Sequence, residues 1–238
     1  MDFDFLKETV LLLLAGVPLL LQLSFFSIAA GALFAVLLAL MRLSGNPVLD
    51  HAARSYVFVF RGTPLLVQIF LIYYGLGQFP EIRQSFLWPF LREPYWCALL
   101  ALTLNTAAYS SEIIRGGILS VPFGQIEAAR ACGMSRGLIF RRIIVPQGLI
   151  VALPAYGNEI ILITRSTALA STITLMEVTG IASKIISETF RAVEVFICAG
   201  AIYLILNFAI SRAIALLERR LSPQFQAPAP VAAVPERA

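Results

Sequence analysis

The residues able to do chemistry in this sequence are few, and two of them lie where charge is expensive. Glu112 and Glu159 interrupt long apolar stretches, and an uncompensated acid at the centre of a membrane helix costs about 2.5–3.5 kcal/mol. Asn105, Tyr109 and Glu112 recur at helical spacing and form one polar stripe. Ser166 follows Glu159 by seven residues and shares its helical face, whereas Arg165 is turned roughly 240° away and is no local ion-pair partner. Glu159 therefore has two open readings. It receives the cationic group of a solute, with Asn158, Ser166 and Asn105 offering hydrogen bonds, or it pairs with another helix or a partner subunit. Glu112 has Arg115 three residues on and reads as a structural pair. Arg61, at an apolar boundary, reads as a snorkelling side chain. Nothing else points to catalysis. The one histidine, His51, stands in a polar connector, and Cys97, Cys132 and Cys198 lack metal-ligand spacing. No Gly-x-x-x-x-Gly-Lys-Ser/Thr phosphate cradle occurs. The sequence predicts no covalent chemistry, no metal and no cofactor.

The elements that carry these residues follow from where charge is missing. The 238-residue chain is 59% hydrophobic and 13% charged, about half the charge of a soluble domain. Thr9–Met41, Gly62–Pro80, Pro94–Ser111 and Val195–Ser211 are free of charge altogether. A helix needs about 20 apolar residues to cross the hydrocarbon core, so the chain reads as an all-α polytopic membrane protein. Five spans fit, near 19–41, 56–79, 95–114, 143–164 and 194–216, with Gly16 and Pro18 dividing the first run. The leading residues Met1–Glu8 carry three acids and one lysine, unlike the positive start of a signal peptide. Thr63-Pro64 reads as a helix start or as a kink. The apolar piece Ser166–Met176 is too short to cross and reads as a turn or re-entrant piece before the polar stretch Glu177–Glu194. Connectors 42–55 and 115–142 and the end of the last span hold most of the arginines. The positive-inside rule then puts the N-terminus outside and the C-terminus in the cytosol. Residues 1–18 form an external segment, 19–220 the transmembrane domain, and 221–238 a Pro/Ala-rich tail of disordered composition.

The longest arginine-rich connector has internal order. Ser120 and Pro122 announce a helix, Gln125–Cys132 continues it, Gly133 suits a left-handed end, and Ser135 can cap a second helix to Ile144. This gives two short helices outside the membrane, spanning 120–146, shaped to meet a partner protein.

Glu127-Ala128-Ala129, then Gly133, then Ile144-Val145-Pro146, resembles the EAA motif of bacterial ABC import permeases. Three further segments resemble the polar amino acid uptake group of that family: Phe60–Gln68, Thr103–Ile113 and Asn158–Ala170. The last of these is most similar to M-type permeases of histidine and lysine–arginine–ornithine importers. The resemblance covers most of the chain, and its four motifs fall in the family's order. It implies a type I ABC importer permease fold in a bacterial inner membrane, and a coupling role for Glu127, Ala128, Ala129 and Gly133 against an ATPase groove. It also implies a related Q-type second permease, two ATP-binding subunits, an external solute-binding protein, and a basic amino acid, an opine or a neutral polar amino acid as substrate. Thr164 and Arg165 depart from the family pattern, which carries an apolar residue and His or Lys there. A secondary transporter would need internal inverted repeats, and none is evident. An intramembrane enzyme would need a nucleophile–base pair or metal ligands within the spans. Reporter fusions after Arg142 and after Arg220 are both expected to read as cytosolic; an external signal at either overturns the five-span topology.

Overall fold

Ser24, Ser27, Gly31, Ala35 and Ala39 recur at three- or four-residue steps in the first apolar run. Small residues at such spacing let two membrane helices approach closely. The computed structural model describes residues 3–221. Helix α1 (Phe3–Leu14) is followed by a tight turn at Ala15–Gly16 and then by α2 (Val17–Leu43), with Pro18 in its first turn. The small residues of α2 are buried against α7 (Pro94–Leu119), the most extensive helix pairing in the molecule. A Cβ at Gly31 would collide with the Thr106 methyl. Ser24 donates to Leu20 O (2.9 Å), and Ser27 donates to Leu23 O, so both hydroxyls are satisfied within their own helix.

The expected span 56–79 is not straight. Helix α3 begins at Pro47 and ends at Gly62, where Asn46 caps its start by accepting the Val48 N–H at 2.9 Å. The connector expected at 42–55 is therefore only a turn, with Gly45 left-handed, followed by helix. Helix α4 (Leu65–Phe70) then leaves at 104° to α3, prolonged by a π turn and a 3-10 turn to Gln78. Pro64 is the cause: its ring pushes Thr63 out of the helical region, and Thr63 sits extended at φ −117°, ψ 142°. Both readings of Thr63-Pro64 hold in part: the chain bends sharply there, and a new helix starts at Leu65 with Pro64 as its cap. Two amides repair the break. Gln68 Nε2 donates to Phe60 O (2.9 Å) and to Thr63 Oγ1 (2.8 Å), and Asn105 Nδ2 donates to Gln68 Oε1 (3.0 Å).

After the single turns α5 (Pro80–Arg83) and α6 (Trp88–Leu91) comes α7, then α8 (Phe123–Ala131) and α9 (Arg136–Ile139). The second short helix expected here is not separate. Helix α9 passes through a π turn at Phe140–Ile144 into α10 (Val145–Ser166) and a 3-10 extension to Ile173, one helical stretch over Arg136–Ile173. Val145 N–H reaches five residues back to Phe140 O, and Pro146 has no N–H to restore the four-residue ladder. Thr174, at φ 70°, ends that stretch. The polar segment after it is also helical: α11 (Val178–Thr189) buries Val178, Ala182 and Ile185. Its cap, Glu177, is wholly buried, accepting the Gly180 N–H at 2.9 Å and the Tyr203 hydroxyl of α12 (Ala192–Leu221) at 2.7 Å. Helix α1 packs on α11 and α12. The tail expected at 221–238 lies outside the described residues beyond Leu221.

Four stretches among the described residues are long and apolar enough to cross a bilayer, or five counting the bent α3–α4 pair. Helices α7 and α10 meet backbone to backbone at Gly117 and Gly148. A Cβ at Gly117 would strike the Gly148 carbonyl and lie 2.9 Å from Ala152 Cβ. Backbone cannot step aside, and overpacking of this kind costs about 1–3 kcal/mol. Gly117→Val is therefore expected to lower the thermal midpoint of the assembled transporter by several degrees. Gly116→Ala, which meets nothing within 4 Å, is expected to leave it unchanged or raise it, as read by thermal unfolding in detergent.

Candidate functional site

The break between α3 and α4 opens the bundle beside α7 and α10. A cleft of about 500 Å³ forms there, lined by Arg61–Leu65 of the break, Asn105 and Tyr109 of α7, and Glu159, Leu162, Ile163 and Ser166 of α10. Glu159 is 6% exposed. Its Oε1 accepts the Thr106 hydroxyl at 3.0 Å, and among the described residues no basic side chain lies within ion-pair distance of it. Among the described residues Oε2 has no hydrogen-bond partner, and it is not sealed off from the cleft. The carboxylate is thus held at one oxygen and open at the other.

The three residues singled out around this acid, and Arg61, read as a snorkelling side chain, fare differently. Ser166 lines the cleft, although its hydroxyl donates back to Leu162 O at 2.8 Å. Asn105 also lines it, but its amide N–H groups are taken by Gln68 Oε1 and, more weakly, by Phe60 O at 3.4 Å. Its first task is to splice the broken helix. Asn158 is not among the cleft-lining residues: one residue along a helix is a 100° rotation, and its side chain is exposed outside the cleft. Arg61 does belong. Its guanidinium carbon lies 5.0 Å from the Tyr109 ring centroid, at the cleft wall rather than simply reaching for headgroups. Thr106 and Gln68 escaped the sequence reading. Gln68 left a signal, an amide one turn after a proline in an apolar run. Thr106 left none, because its partner is 53 residues away.

Beside the cleft lies an ion cluster. Glu112 bonds Arg115 at 2.8 Å, as its spacing predicts, and also Arg42; Arg42 in turn bonds Asp50 at 3.0 Å, and Asp50 bonds Arg54 at 2.9 Å. The cluster ties the end of α2 to α3 and α7. Tyr56 of α3 adds a hydroxyl bond to Leu104 O at 2.7 Å.

The EAA-like segment forms α8 at one end of the bundle. Glu127 and Ala128 are exposed, while Ala129 is turned inward and buried. Gly133 is left-handed at φ 76°; its N–H bonds Arg130 O at 2.9 Å, and Met134 N–H bonds Ala129 O at 3.1 Å. Ser135 caps α9 by accepting the Leu138 N–H at 3.4 Å. Gln147 donates to Gln125 Oε1 at 2.7 Å, so α8 is fastened to the start of α10. Phe123, 63% exposed, and Glu127 share the open side of α8.

Comparison with known proteins agrees with this architecture. Residues 9–223 match the family described as the binding-protein-dependent transport system inner membrane component. The octopine transport system permease OccM of Rhizobium meliloti is 66% identical, over 94% of this chain and 92% of its own length. The nopaline permease NocM of Agrobacterium fabrum is 56% identical, over 95% of both chains. The arginine ABC transporter permease ArtM of Escherichia coli is 46% identical, over 74% of this chain and 78% of its own. Among solved structures, an amino acid ABC transporter crystallised with histidines superposes with a TM-score of 0.83 at 37% identity, over 92% of this chain and 99% of that one. The methionine transporter MetNI, at 21% identity and a TM-score of 0.67, shares the fold. With spans, fold and nearly full-length relatives in agreement, the chain belongs to the binding-protein-dependent inner membrane component family and is a permease subunit of an ABC importer for amino acids.

Proposed function

We propose that the chain lines the path of a basic amino acid such as arginine, histidine, lysine or ornithine, or of an opine built on arginine, across the bacterial inner membrane. The observation that carries this reading is Glu159, a buried carboxylate with one oxygen open to a cleft and no ion-pair partner among the described residues. Burying a charge is tolerable when a counter-charge arrives with the solute and leaves with it. Permeases named for octopine, nopaline and arginine support it, since octopine and nopaline are arginine derivatives that keep the guanidinium. The chain works beside a related second permease, two ATP-binding subunits and an external solute-binding protein. The N-terminus faces outward and the C-terminus the cytosol. The open side of α8, with Phe123, Glu127 and Ala128, docks on the ATPase. The continuous helix over Arg136–Ile173 carries that motion to Glu159.

A hydrogen bond to a charged group is worth about 1.5–3 kcal/mol. Glu159→Gln is therefore expected to slow uptake of arginine about 10- to 100-fold in the reconstituted transporter, and uptake of glutamine far less. Solute affinity of the binding protein is measured separately. Arginine uptake at the wild-type rate would make Glu159 a structural residue only. For coupling, Gly133→Val forces a β-branched side chain into a left-handed backbone, and Glu127→Lys reverses the exposed charge. Both are expected to leave membrane insertion intact while uptake per ATP hydrolysed falls; normal coupling in either would remove α8 as the docking element.

A further inference from the structure

The cleft holds a second charge that the proposed cation site does not use. Arg61 is the penultimate residue of α3, beside Gly62 and the extended Thr63–Pro64, and it lines the same cleft as Glu159. The neighbouring arginines are occupied: Arg42, Arg54 and Arg115 are all bonded to Asp50 or Glu112. Arg61 stands apart from those ion pairs: Glu112 and Glu159 are near enough to feel its charge, but among the described residues no carboxylate lies within ion-pair distance of it. It lies instead over the Tyr109 ring at 5.0 Å. A guanidinium carried on a ring keeps the N–H donors along its edge available, and these match a carboxylate two at a time.

We propose that Arg61 receives a carboxylate of the transported solute, so that the cleft selects molecules carrying an anionic group at one end and a cation at the other. A carboxylate entering a cleft with apolar walls loses hydration and needs a charged donor in its place. Arg61 supplies it, with the Tyr109 ring against the guanidinium at the cleft wall. The same Arg61, Gly62 and Tyr109 also line a second cleft, of about 480 Å³, on the side of the Arg42–Glu112 cluster. Arg61 thus stands where a carboxylate would pass from one chamber to the other. The assignment rests on the reading of the cleft as the solute path; only the pairing of an anionic with a cationic end rests in addition on Glu159 as the cation site.

The test uses the complete transporter in nanodiscs and measures equilibrium binding of arginine, of octopine, and of agmatine, which is arginine without its carboxylate. The wild-type complex is expected to prefer arginine and octopine to agmatine by about tenfold or more, the worth of a charge-assisted hydrogen bond. Arg61→Gln should bring all three to the agmatine level. Arg61→Lys keeps the charge but loses the fork, and should retain a preference at least threefold smaller than wild type. Glu159→Gln should weaken all three ligands together and leave the preference intact. If Glu159→Gln changes nothing while Arg61→Gln erases the preference, the cation reading fails and the carboxylate assignment stands. A wild-type complex without the preference, or an unchanged preference in Arg61→Gln, overturns the assignment. If Arg61→Gln does not assemble, an unchanged preference in Arg61→Lys overturns it equally.

Discussion

A bilayer core offers no hydrogen-bond partners, so any backbone group released by a broken helix must find one inside the protein. The break at Thr63–Pro64 is where this demand is sharpest. Pro64 ends α3, turns the chain through 104°, and leaves the Phe60 and Thr63 carbonyls without their helical donors. Gln68 reaches both carbonyls, and Asn105 of α7 locks Gln68 in turn. Without that splice the cleft would lose its wall, because Arg61, Thr63, Pro64 and Leu65 are the break itself. The cleft lies at an interruption that the surrounding amides make tolerable.

The second constraint is distance between helices. Without a hydrophobic drive between helices in lipid, association depends on close van der Waals fit. Gly31 lets α2 settle on Thr106, Gly117 and Gly148 bring α7 and α10 into backbone contact, and Gly157 accommodates Ile214 of α12. Thr106 serves two purposes at once. Its methyl fills the Gly31 notch, and its hydroxyl bonds Glu159. Packing of α2 on α7 therefore also fixes the rotamer of the acid, 53 residues away in the chain.

Mechanical continuity joins the two ends of the bundle. Because α9 runs through a π turn into α10, Ser135, Gln147 and Glu159 lie on or cap one helical stretch, and Gln125 of α8 is bonded to it. At the other end the buried Glu177 holds α11 to α12 through Tyr203, and a Cβ at Gly16 would lie 2.6 Å from the Glu177 carbonyl carbon. One helical stretch thus joins α8 to the cleft, and α11 and α12 are tied together at the other end of the bundle.

The sequence alone determined the solvent of this protein, its helical class and the place of its loop. Those properties depend on local quantities: the length of uncharged runs, a glycine that must turn left-handed, a serine that caps. It also picked out Glu159, because an acid in an apolar run is conspicuous whatever its neighbours, and it paired Glu112 with Arg115 because three residues on a helix fix their proximity. It left Thr63-Pro64 open between a helix start and a kink, and it read Glu177–Glu194 as merely polar, since the angle of a proline break and the buried face of α11 depend on what they pack against. That Asn158 lies outside the cleft while Glu159 lines it follows only from the rotation of α10. The partners of Glu159 and the freedom of Arg61 were decided by the tertiary structure, because both depend on which helices touch. Contacts between Thr106 and Glu159, or between Arg61 and Tyr109, join residues 53 and 48 positions apart, a range over which no spacing rule operates.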